Sequence, residues 1–232
     1  MKTVNTIEQI ADFSKLKQEV LYFFEKYRND TKQVVLQTTE DNLGNWNDGS
    51  GRVSKLSSEE KYENHPQVDE WLNSPSELDI VSILENIGLD KDRAGHFINH
   101  YRRMKKKNDL DPVTKDKVNE IILACGTYVE REYKFMQPEL EGTLIAYYLE
   151  KYKVHRSRIM LMSPRSCYSV HRDSTQRIHI PIVANPQAWM VWPFENQCYR
   201  FEEGNVYQTD TTKLHSFFNG SEEDRIHMVC CL

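Results

Sequence analysis

The sequence predicts an α-plus-β protein, a helical N-terminal part followed by an all-β sandwich or jelly roll. Three observations carry this reading. Up to about residue 152, apolar residues recur at helical spacings of three and four. From Arg156 onward they fall in short β-rich runs. Turn residues separate those runs at Asn185-Pro186, Glu203-Gly204 and Asn219-Gly220.

Taken in order, residues 5–28 space Ile7, Ile10, Phe13, Leu16, Val20, Phe23 and Phe24 along one helical stripe. Residues 30–66 are rich in Asn, Asp, Gly and Ser and predict loops, with one strand over Val34–Thr38. Within them, Asn45–Gly51 is a loop long enough to cover a site as a lid. Helical patterns return over 66–73, 77–87, 89–107, 112–135 and around 138–152. The β runs follow: RIMLM, RIHIPIVA, AWMVWPF, CYRFEEG, NVYQTD, HSFFNG and RIHMVCCL. The change of texture near 153–156 divides a mainly helical region, 1–152, from a β region, 153–232. About 75 residues of sheet are few for a closed sandwich, so the expectation is one compact unit in which the N-terminal region packs on the core and completes it.

Composition narrows the function classes. The chain has 232 residues, 39% of them hydrophobic, with 12 Tyr, 9 Phe and 4 Trp, enough to fill a core. A net charge of -5 gives no support for bulk electrostatic binding to nucleic acid. No apolar run approaches the roughly 18 residues of a membrane span, and the opening MKTVNTIEQIADF lacks the apolar stretch of a signal peptide. Five cysteines without a CxxC pair fit a reducing compartment, so a cytoplasmic location is expected. The closing Val229-Cys-Cys-Leu232 has Val where a prenylation box needs Cys.

The chemistry concentrates in the β region. His171 and Asp173 are two apart, so on a strand they point to the same side, and His215 follows just after another turn. Two histidines and a carboxylate can hold one face of a divalent iron ion and leave the other open. A tripeptide of this kind is weakly specific on its own. Its surroundings add to it: Arg177 and His179 alternate with Ile178 and Ile180, and Arg225 and His227 alternate with Ile226 and Met228. Burying a guanidinium is expensive unless a carboxylate meets it, and a carboxylate ligand matches its fork. The alternatives are arginines that face solvent or pair with Glu202 or Glu203.

Residues from about Arg158 to Val229 resemble the aspartyl/asparaginyl β-hydroxylase family of Fe(II)/2-oxoglutarate oxygenases. The resemblance rests on Pro164, His171-Arg-Asp173, R-I-H-I-P at 177–181, F-E-E-G at 201–204, L-H-S-F-F-N-G at 214–220 and R-I-H-M-V at 225–229, with ten residues between His215 and Arg225. It covers about a third of the chain. It implies a double-stranded β-helix (jelly-roll) core with flanking N-terminal helices, iron held by His171, Asp173 and His215, and the far carboxylate of 2-oxoglutarate held by Arg225. Arg177 and His179 would line the co-substrate pocket. The implied reaction uses O2 and converts 2-oxoglutarate to succinate and CO2 while hydroxylating an Asp, Asn or Pro side chain, in a protein or as a free amino acid. The sequence departs from the family pattern in having Asp173 where some members lack a metal carboxylate, in a shorter loop before R-I-H, and in Met160 where a polar co-substrate contact is usual. Tyr168, Arg165 and Trp192 are near enough in sequence to be candidates for gripping substrate.

Other signals are weaker. His96 and His100 lie four apart but lack the glutamate of HExxH and a third ligand. Arg102 to Lys107 form a basic run that suits a solvated helix end. The competing reading is a non-catalytic jelly-roll module that binds metal or a small ligand; it leaves the coexistence of Asp173 and Arg225 without a purpose.

Overall fold

Eight short strands between His155 and Cys231 are shared by two antiparallel sheets and, apart from one hairpin within the smaller sheet, pass from one sheet to the other in succession, as in a jelly roll. They are β5 (His155–Met162), β6 (Ser166–Cys167), β7 (Arg177–Val183), β8 (Ala188–Trp192), β9 (Gln197–Tyr199), β10 (Asn205–Thr209), β11 (Ser216–Asn219) and β12 (Arg225–Cys231). The computed structural model describes residues 2–51 and 130–232. Residues 2–51 and 132–232 form one compact unit, which is described below. The helices predicted over 66–73, 77–87 and 89–107, most of 112–135, His96, His100 and the basic run from Arg102 lie outside the described residues.

With β1 (Val4–Gln9) and β2 (Gln33–Val35) at its edges, the major sheet has the order β1-β10-β7-β12-β5-β2 and the minor sheet β6-β11-β8-β9. All eight jelly-roll strands thus come from residues 155–231, and the N-terminal region adds a strand at each edge of the major sheet. β1 pairs with β10, and β2 pairs with β5. The helical stripe over 5–28 is therefore split: residues 4–9 are strand, and the helix α1 runs Phe13–Tyr27. Ladder bonds to β10 satisfy the backbone of 4–9, which outweighs the local helical spacing. The strand expected over Val34–Thr38 is also divided. β3 (Gln37–Thr38) leaves the major sheet to pair with β4 (Phe135–Met136), so Phe135, expected as the last residue of a helix, is strand.

A second helix, α2 (Leu144–Tyr152), starts where the Thr143 hydroxyl accepts from the Ala146 N–H at 3.1 Å, and it stops at Lys153, which is left-handed. Leu16, Val20, Phe23 and Phe24 of α1 and Ile145 and Leu149 of α2 pack on the outer face of the major sheet. There they meet Ile159, Ile178, Ile180, Ile182, Ile226, Met228 and Cys230. A separate core between the two sheets contains Met162, Met190, Trp192, Phe201, Tyr207 and Phe217.

The Asn45–Gly51 loop is anchored. Trp46 is buried, with its ring stacked on Tyr27 at 3.9 Å, and Asp48 accepts from the Thr38 hydroxyl at 2.7 Å. A Cβ at Gly49 would come within 2.5 Å of the Tyr133 ring, so only glycine fits there. Among the described residues, no helix is long and apolar enough to cross a membrane.

Candidate metal centre and a buried arginine

His171 and His215 lie on segments that extend the β6–β11 pairing. Each N–H donates to the other's carbonyl at 2.9 Å, and the Asp173 N–H donates to the Thr211 carbonyl at 2.9 Å. This ladder puts the three side chains together, with one ligand atom from each within 4.8 Å of the other two. His171 Nε2 lies 3.8 Å and His215 Nε2 3.7 Å from the Asp173 carboxylate. His171 Nδ1 lies 2.7 Å from the Ser169 carbonyl and His215 Nδ1 2.9 Å from that of Lys213. A carbonyl only accepts, so both Nδ1 atoms carry the proton and both Nε2 lone pairs are turned toward Asp173. Backbone acceptors that fix the tautomer in this way are the usual support of metal-binding histidines.

Electrostatics fit this geometry. Burial pushes the Asp173 carboxyl up, but Arg177, His215 and His171 more than offset it and hold it below the ordinary aspartate range. Arg177 Nε sits 3.4 Å from that carboxylate, and its Nη1 donates to the Thr175 carbonyl at 3.1 Å. Burial lowers the His215 imidazole, opposed by Asp173, which favours the neutral form a metal needs.

Arg225, on β12, faces into the space between the sheets and is 2% exposed. Its guanidinium carbon lies 3.9 Å from the centroid of the Phe217 ring, and its Nη2 donates to His227 Nδ1. Its Nε is buried without a partner, and among the described residues no carboxylate pairs with it. Burial pushes its pKa down to about 9. The acids considered from sequence are engaged elsewhere. Glu203 takes Lys17 at 2.6 Å and the Ala184 N–H at 3.0 Å, and Glu202 lies 3.7 Å from Arg200. The F-E-E-G segment is thus a turn that ties α1 to the sandwich, closed by Gly204 at φ +77°.

His179, on β7, is buried with its ring parallel to Phe201 at 5.4 Å. It lies within electrostatic reach of both groups, His215 and Asp173 as well as Arg225. His227 was legible as part of an R-x-H strand but not as a site residue; it stands directly across from Met160 and lies in the same chamber as His179, Phe201 and Phe217. Of the residues suspected of gripping substrate, Tyr168 is near, its ring 6.5 Å from that of His171. Trp192 is fully buried and donates to the Asp210 carbonyl at 2.9 Å, a core role. Arg165 is exposed and paired with Glu222.

Several solved structures match part of this chain at low TM-scores. A cupin domain from Bordetella pertussis Tohama I is 16% identical, with 33% of this chain and 78% of that one covered at a TM-score of 0.30. The viral collagen prolyl hydroxylase of Paramecium bursaria Chlorella virus-1, in its 2OG complex, is 12% identical over 38% of this chain and 68% of its own, at 0.29. A Pseudomonas putida prolyl-4-hydroxylase is 11% identical over 75% and 98%, at 0.27. Likenesses this distant add nothing to the fold that the strands themselves show. No curated protein matches the sequence. Residues 138–232, about two-fifths of the chain, match the family model described as Aspartyl/Asparaginyl beta-hydroxylase, and they include every jelly-roll strand, the His171–Asp173–His215 cluster and Arg225. By that match residues 138–232 are similar to the aspartyl/asparaginyl β-hydroxylase family.

Proposed function

We propose that the chain is an Fe(II)/2-oxoglutarate-dependent dioxygenase that hydroxylates an amino-acid side chain, Asp, Asn or Pro, in a protein or as a free amino acid. The observation that supports this most is Arg225: a guanidinium buried between the sheets, with no carboxylate of the described residues beside it. Leaving such a charge unpaired costs several kcal/mol, and a dicarboxylate ligand supplies the missing partner. His171, Asp173 and His215 would hold the metal, and their two imidazoles and one carboxylate suit Fe(II) with positions left open. Bound together, iron and 2-oxoglutarate supply the oxidising chemistry for a C–H bond, with release of succinate and CO2.

The chain's own part is placement and exclusion. Ser169 and Lys213 orient the two imidazoles through their carbonyls, and Arg177 steadies the Asp173 carboxylate. Phe201 and Phe217 keep water from the Arg225 end and so strengthen its attraction for an anion. Tyr168 stands at the more exposed side, beside His171, where a substrate can approach.

The test is anaerobic titration with Fe(II) and then 2-oxoglutarate, followed through the weak visible metal-to-ligand charge-transfer band. The band should form in the unaltered chain and be absent in His171→Ala, whose metal affinity should fall by more than the roughly 10–100-fold that loss of an outer-shell partner costs. Bound metal without the band would favour the non-catalytic module. Succinate release then provides the screen for substrate.

A further inference from the structure

The buried pair His179 and His227 has a hydrogen-bond pattern that can be read from donors and acceptors alone. Arginine only donates, so the contact from Arg225 Nη2 makes His227 Nδ1 an acceptor, without a proton. His179 Nδ1 faces the same atom at 3.5 Å. Two bare lone pairs would repel there, so His179 carries its proton on Nδ1 and its Nε2 is bare. That Nε2 is buried without a partner, and so is the Nε–H of Arg225. One chamber therefore holds an unmet donor and an unmet acceptor.

A carboxylate that enters beside Arg225 and reaches across to His179 Nε2 satisfies the donor but sets its own oxygen lone pairs against the acceptor. A proton on His179 Nε2 removes the conflict, turning the second unmet atom into a donor toward the anion. We propose that His227 is a positioning residue that fixes the Arg225 guanidinium, and that His179 takes up one proton from solvent as the distal carboxylate of the co-substrate binds. The inference rests on the 2-oxoglutarate reading above.

The surroundings agree with this division of roles. The charged and titratable groups facing His179 are Arg225 and His227 from β12, Arg177 from its own strand, Asp173 from the β6–β7 loop, His215 before β11, and its cross-strand neighbour Tyr207 on β10. The cations outnumber the single carboxylate, and burial holds the imidazole well below its ordinary range, so it is neutral near pH 7 until an anion arrives. An added carboxylate in contact raises its proton affinity by roughly a thousandfold.

Calorimetric titration of the Mn(II)-loaded chain with 2-oxoglutarate, in two buffers of different ionisation enthalpy, counts the protons. Expected is an uptake near one, with the 2-oxoglutarate Kd rising about tenfold per pH unit above neutrality. Oxalate, which chelates metal but has no distal carboxylate, should bind with no uptake. His179→Gln places an amide N–H where the protonated Nε2 would be, so it should bind 2-oxoglutarate with no uptake and a Kd flat in pH. His227→Asn keeps an acceptor near the Nδ1 position and should retain the affinity that His227→Leu loses. Binding of 2-oxoglutarate with no uptake, or equal uptake in His179→Gln, overturns the inference and leaves the function standing. Failure of 2-oxoglutarate to bind at all overturns both.

Discussion

The two faces of the major sheet are written in the same strands, one residue apart, and they differ in every respect that matters. Toward the helices, β7 and β12 present Ile178, Ile180, Ile182, Ile226, Met228 and Cys230. Toward the minor sheet, the same strands present Arg177, His179, Arg225 and His227, all buried. The outer face is a conventional core whose burial stabilises the unit at about 25 cal/mol per Å2 of apolar surface. The inner face buries charge and unmet polar atoms, which cost stability and which the proposed dicarboxylate ligand would satisfy. On the proposed reading, adjacent residues of one strand divide stability from function, and a one-residue slip of register would exchange the two.

The sharpest way to break this comparison is to alter neighbours. Ile180→Ala, on the outer face beside His179, should cost about 2–5 kcal/mol of stability by leaving a cavity against α1 and α2. The folded fraction should keep its 2-oxoglutarate affinity; denaturant melts and ligand titration of one sample read both. Arg225→Met, on the inner face, should act in the opposite sense. Replacing a buried charge with an apolar side chain of similar volume should leave the ligand-free chain equally stable or more stable, by up to roughly 1–4 kcal/mol. The unaltered chain should gain about 2.7 kcal/mol when 2-oxoglutarate reaches a hundred times its Kd, and Arg225→Met should gain nothing.

A gentler probe is pH in the metal-free chain. Burial holds His179 and His227 well below the ordinary imidazole value of 6.5, and His215 is lowered too. Above that value folded and unfolded imidazoles are both neutral, and these histidines add no pH dependence. As pH falls below 6.5 the unfolded chain takes protons that the folded chain refuses, so stability drops by about 1.4 kcal/mol per pH unit for each histidine. Thermal melts from pH 7.5 to 5.5 should show this slope, and the double variant His179→Gln with His227→Asn should flatten it.

Much of the inner face was legible because strand alternation is a two-residue code: R-I-H-I-P and R-I-H-M-V announce which residues share a side. The spacing of His171, Asp173 and His215 marks them as a candidate ligand set and the structure brings the three together, while the ladder that joins them through paired backbone atoms is tertiary and leaves no mark on the sequence. The same reason explains the error at 4–9. Ile7 and Ile10 continue the stripe of α1, and only the distant β10 makes that segment a strand. The sequence marks His227 only as part of an alternating strand, because the facing of its Nδ1 to both Arg225 and His179 is a three-dimensional fact. By sequence position Glu203 is a candidate partner for the arginines, whereas the fold gives it Lys17.

The pairing of β1 with β10 also bears on how the protein is made. Val4 meets Thr209, so the two strands are about 200 residues apart in the chain. At ribosomal rates of about 5–20 residues per second, β1 waits roughly 10–40 s for its partner to be synthesised. Closure of that edge has a large loop entropy to overcome and belongs among the last folding events. Until then a nascent chain carries an unpaired strand at one end and an open sheet edge at the other, the combination that chaperones guard and that exchange between neighbouring chains exploits.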